Sequence, residues 1–86
     1  MNLVVDIGNT LIKYYIFSKK NVILSKKSND LDNLIFGIKD YIKLIEAIVI
    51  SDVRGIDLST ITNNFENKLI YQLKSDFKFP FKILYK

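Results

Sequence analysis

The sequence predicts an α/β domain with a mixed sheet, its elements running β-β-β-α-β-α-β. Three observations carry this. Two apolar runs near the start, Leu3 to Ile7 and Leu11 to Phe17, are separated by a few turn-forming residues and so make a hairpin. Further on, Leu31, Leu34, Ile35, Ile38, Ile42 and Ile45 recur at spacings of three and four, the period of a helix with one apolar face. The run Ala47-Ile48-Val49-Ile50 then follows, too short for a helix and typical of a buried parallel strand.

The remaining elements fill the order. Lys19-Lys20-Asn21 makes a second turn, and Val22 to Ser25 reads as a third strand that completes a meander. Ser28, Asn29 and Asp30 are candidate N-caps for the helix, which the spacing predicts to run about 15 residues. Gly37 falls inside it at a cost of about 1 kcal/mol relative to Ala. Either close packing against the sheet or simple tolerance accounts for that glycine. After the buried strand, Ser51-Asp52-Val53-Arg54-Gly55 forms a loop at the carboxyl edge, where open α/β sheets bind ligands. Asp57 or Ser59 can cap a second helix with Leu58, Ile61 and Phe65 on its buried face, although Asn63, Asn64 and Asn67 weaken its propensity. Leu69 to Leu73 is a further strand candidate, and Phe79 to Leu84 another, with Pro80 favouring a sheet edge.

Composition narrows the function. At 86 residues the chain holds one small domain, and it contains neither cysteine nor histidine. A disulfide framework and a thiolate nucleophile are thereby excluded, and a zinc site is disfavoured. No apolar run approaches the roughly 20 residues of a membrane span, and Met1 leads straight into a strand, so the expectation is a cytoplasmic protein with no membrane association. The net charge of +4 suggests nucleic acid, but Arg54 is the one arginine among 13 basic residues, and the lysines are dispersed. With so little capacity for bidentate contacts, no nucleic-acid partner is expected.

The polar residues of the first hairpin hold the most chemistry. Asp6-Ile7-Gly8-Asn9-Thr10 is followed by Lys13, a polar set inside strand-forming sequence. Gly8 lets a ligand approach backbone N–H groups, Asn9 and Thr10 add an amide and a hydroxyl, and Lys13 adds positive charge. Asp6 can hold a divalent metal directly or through water. The alternative is an ordinary Asn-rich hairpin turn with an exposed lysine; Asp6 counts against it, because burial penalises an unpaired carboxylate in an apolar strand.

This turn resembles the first phosphate loop of the sugar-kinase, Hsp70 and actin superfamily. Within it, Asn9 between Gly8 and Thr10, together with Lys13, is similar to type III pantothenate kinases. The element order is likewise that of a ribonuclease H-like half-domain. The resemblance implies that residues 1–86 are the N-terminal phosphate-binding part of a kinase that phosphorylates pantothenate in coenzyme A biosynthesis. It implies ATP, Mg²⁺ and a monovalent cation, K⁺ or NH₄⁺, as cofactors, with Asp6 as the metal residue, and a homodimer for the full-length enzyme. The family's general base, the Asp of a Gly-x-Asp-Arg motif, is then expected beyond Lys86, so the chain by itself is expected to be inactive.

Two positions bear on the match. Tyr85 corresponds to a tyrosine that in some family members lines the pantothenate pocket; packing of a terminal aromatic on a sheet edge is the alternative. Asp52 stands where the family commonly has the second serine of Ser-Ser-Val, which leaves the loop either as a turn capped by Asp52 or as a ligand contact. A different class of function also stays open: a non-catalytic nucleotide- or phosphate-binding or assembly module of the same superfamily.

Overall fold

The computed structural model describes residues 1–73. Among the described residues the chain is an α/β fold, a mixed five-stranded sheet with two α-helices. Strand β1 (Asn2–Ile7) lies at its centre. It pairs antiparallel with β2 (Ile12–Ser18) and parallel with β4 (Ala47–Asp52). Outside these, β3 (Asn21–Ser28) pairs antiparallel with β2, and β5 (Leu69–Leu73) pairs parallel with β4. Parallel neighbours cannot be joined by a tight turn and need crossovers. Helices α1 (Leu31–Gly37) and α2 (Ser59–Asn64) lie in those connections.

Alternation along the strands decides which face the helices cover. The register sets Leu3 opposite Ile16, Val5 opposite Tyr14 and Ile7 opposite Ile12, so these six side chains share one face. Ile48 and Ile50 of β4 continue it. They pack with Leu31, Leu34, Ile38, Ile61 and Phe65 into a single core cluster. The other face carries Asp6, Lys13 and Ser51 in successive strands.

The predicted 15-residue helix is shorter. α1 has 7 residues and ends at Gly37. The chain then turns, with the Tyr41 N–H donating to the Ile38 carbonyl at 2.8 Å, and makes one 3₁₀ turn at Ile42–Leu44. Ile38 and Ile45 are nonetheless fully buried. The apolar spacing therefore reported burial correctly, but successive turns satisfy it as well as a continuous helix does. Gly37 accordingly terminates the helix. A Cβ there would run into the hydroxyl of Tyr14, itself buried, so close packing against the sheet is the reason for the glycine.

The caps are local. Asp30 is the N-cap of α1, its carboxylate accepting from the Asn33 N–H at 2.8 Å. Before α2, Asp57 accepts from the Ser59 N–H at 2.9 Å. Two strands run further than the apolar runs indicated: β3 continues to Ser28 through Lys26 and Lys27, and β4 takes in Ser51 and Asp52. Sheet pairing extends strands past the point where their side chains stop being apolar. The predicted strand at Phe79 to Leu84 and Pro80 lie outside the described residues. Among the described residues no helix is long and apolar enough to cross a membrane.

Candidate functional site

Because β1 and β4 are parallel, they deliver the chain to the same edge of the sheet. The β1–β2 turn and the loop after β4 are neighbours there, joined by the Val53 N–H donating to the Ile7 carbonyl at 3.1 Å. The turn is closed by the Gly8 N–H donating to the Leu11 carbonyl at 3.0 Å, which leaves Asn9 and Thr10 at its exposed tip. Among the described residues only Lys19 and Gly55 have a positive φ. Asn9 and Thr10 therefore turn without the left-handed backbone of a type I′ hairpin. Gly8 instead sits close to its neighbour: a Cβ would lie 3.3 Å from the Leu11 oxygen that its own N–H bonds, tighter than an ordinary contact.

Below the tip, register assembles a polar row. Asp6 stands opposite Lys13 on β2 and beside Ser51 on β4, and Lys13 stands opposite Lys27 on β3. Directly opposed residues have side chains on the same face, so Lys27, Lys13, Asp6 and Ser51 form a line across four strands, on the side away from the helices. Asp6 and Lys13 are half-buried, Ser51 is buried and Lys27 is exposed. The five residues singled out in the sequence, Asp6, Gly8, Asn9, Thr10 and Lys13, thus gather at one end of the sheet, with Asp6 and Lys13 on the same side.

Ser51 and Lys27 were not among them. Ser51 read as part of a loop and Lys27 as one of the dispersed lysines. Only the strand pairing reveals them, since the signal is which residue faces which across neighbouring strands.

Asp52 has a different task. Its register partner is Ile7, which puts it on the helix side, and it is 8% exposed. One carboxylate oxygen accepts from the N–H groups of Arg54 at 2.8 Å and Gly55 at 3.0 Å, and the other from Ile56 at 2.9 Å. All three bonds fold the loop back on itself, and Gly55 supplies the left-handed residue, φ 66°, that the turn requires. The arrangement is that of a turn held by its own aspartate.

A groove of about 360 Å³ lies on the helix side, with Ile12 at its floor and Asp30, Arg54, Asp57 and Ser59 among its walls. It opens on the opposite face from Asp6 and Lys13, so it is separate from the polar row. In it the Asp57 carboxyl is held below its ordinary pKa, chiefly by the backbone hydrogen bond from Ser59.

Among the described residues no group of three or more His, Cys, Asp or Glu could hold a metal ion. Asp6 is the one carboxylate in the row, with the Ser51 hydroxyl as its oxygen-bearing neighbour. A donor set of this kind suits Mg²⁺, which keeps several waters and is bound through one or two carboxylates plus substrate phosphates. Tyr85 lies outside the described residues. No protein-family model matches the chain, and no curated protein matches it.

Proposed function

We propose that this chain is the phosphate-binding, ribonuclease H-like half of a type III pantothenate kinase, which transfers phosphate from ATP to pantothenate. The observation that supports it best is the pairing of Asp6 with Lys13 directly beneath the exposed Asn9–Thr10 tip. Phosphoryl transfer needs charge neutralisation and positioning more than covalent chemistry from the protein. Here Lys13 would offset phosphate charge, Asn9 and Thr10 would donate hydrogen bonds to phosphate oxygens, and Gly8 would let backbone come close. Asp6 would hold Mg²⁺, which when bound neutralises charge on the phosphates.

A base that takes the proton from the attacking hydroxyl is not supplied by this set. In the proposed enzyme it comes from a Gly-x-Asp-Arg segment outside these 86 residues, as do the adenine pocket and a second phosphate loop. ATP, Mg²⁺, a monovalent cation, pantothenate, a homodimeric state and a cytoplasmic location belong to the same proposal.

The test is a chimera in which this chain replaces the corresponding N-terminal segment of an active type III pantothenate kinase. The expected result is ATP-dependent formation of phosphopantothenate, lost at least about 100-fold in Asp6→Asn with the fold intact. A folded chimera that binds ATP but turns nothing over would overturn the kinase reading in favour of a non-catalytic binding module. Turnover that survives Asp6→Asn would remove Asp6 from the metal site.

A further inference from the structure

We infer that the sheet face which neither helix reaches is a docking surface for the chain's own residues 77–85, laid over β1 and β2. Register puts Val4 opposite Tyr15 on β2 and beside Val49 on β4, on the side away from Leu3, Val5 and the helices. Both are nonetheless buried, Val4 at 5% and Tyr15 at 2% exposure, and neither belongs to the core cluster beneath the helices. A sheet does not bury its own central side chains on an open face; a second layer does. Something therefore lies over them.

The exposure of their neighbours gives the width of that cover. On the same face, Leu69 and Tyr71 of β5 are 61% and 52% exposed and Val22 of β3 is 40% exposed, so both rims stay open. A second copy stacking its own sheet on this one would bury the rims together with the middle. A single extended segment is narrow enough to bury the middle alone. The sequence holds one: Phe77, Phe79, Phe81, Ile83 and Tyr85 alternate with Lys78, Pro80, Lys82, Leu84 and Lys86, a pattern with one apolar side and one side largely of lysine. Reach permits it, because β5 ends at Leu73, two strand spacings or about 10 Å from β1, and the four steps from Leu73 to Phe77 cover about 13 Å when extended. Pro80 cannot donate to a ladder, but a segment laid over a sheet face, unlike one added to its edge, makes no ladder bonds.

The experiment is nuclear Overhauser spectroscopy of the full 86-residue chain with ¹³C-labelled valine methyls, which needs no substitution. Contacts are expected from the Val4 methyls to the ring protons of Phe79 or Phe81. Phe81→Leu should shift the Val4 and Val49 methyl resonances and leave that of Val5, on the helix side, in place. Lys82→Gln should move none of them. A spectrum in which Val4 shows no contact to any of residues 77–85 overturns the inference. Contacts seen only between labelled and unlabelled copies, in an isotope-filtered spectrum of their mixture, make a second copy the cover and overturn it as well. Neither outcome depends on the phosphate-binding reading of the β1–β2 turn.

Discussion

Replacing Asp52 separates a structural aspartate from a ligand-binding one. Its carboxylate accepts three backbone N–H bonds, at 2.8, 3.0 and 2.9 Å, from Arg54, Gly55 and Ile56. Hydrogen bonds to a charged group contribute about 1.5–3 kcal/mol each when desolvated. Arg54 and Gly55 are exposed, so water can replace part of what is lost there, and about 1 kcal/mol per bond is the appropriate scale. Asp52→Ala should therefore cost about 3 kcal/mol, a large part of the roughly 4–13 kcal/mol expected for a chain of this length. Asp52→Asn keeps one acceptor oxygen and should lose about half as much. Urea unfolding followed by circular dichroism measures both. The predicted order of midpoints is wild type, then Asn, then Ala. An Ala variant within 0.5 kcal/mol of wild type, on the scale of an ordinary surface substitution, would refute the assignment of Asp52 to the turn.

The other substitutions probe the frame that holds the site. Gly37→Ala should destabilise by about 1–3 kcal/mol, because Tyr14 is 2% exposed and its hydroxyl cannot swing out of the way; calorimetric melting measures it. Lys19 sits at φ 58° in the β2–β3 turn, so Lys19→Gly should gain about 0.5–1 kcal/mol in urea unfolding, the relief of left-handed strain less the greater entropy of unfolded glycine. Burial raises the Tyr14 phenol above its ordinary pKa of 10.0, so between pH 10 and the raised value the folded chain keeps a proton that the unfolded chain has released. Its contribution is complete below about pH 10 and falls as the pH rises beyond it; Tyr14→Phe should show a shallower loss of stability over that range.

How much of this was legible in the sequence depends on the range of the forces involved. The first hairpin, the buried fourth strand and the strand at Leu69–Leu73 were readable because a strand's pattern is local: apolar runs bounded by turn residues. The helix after Asp30 was readable in its start and its buried face, but not in its length. It ends at Gly37, where the Tyr14 hydroxyl, from a residue 23 positions away in the chain, leaves no room for a Cβ, and no local pattern signals that approach. The same limit applied to the site. Asp6, Gly8, Asn9, Thr10 and Lys13 stood out as polar residues within an apolar context. Ser51 and Lys27 join them only through strand register, and Asp52 separates from them because its position in β4 turns it to the helix side.

The central claim is that the β1–β2 turn binds phosphate beside Asp6 and Lys13. It is tested most directly by amide NMR of the ¹⁵N-labelled chain titrated with ATP in the presence of Mg²⁺. Saturable shifts are expected to concentrate at Gly8, Asn9, Thr10 and Lys13 and to be abolished by Asp6→Asn or Lys13→Gln while the rest of the spectrum stays that of the folded protein. Saturable shifts confined to the groove near Arg54 and Asp57, with the turn amides unmoved, would contradict it.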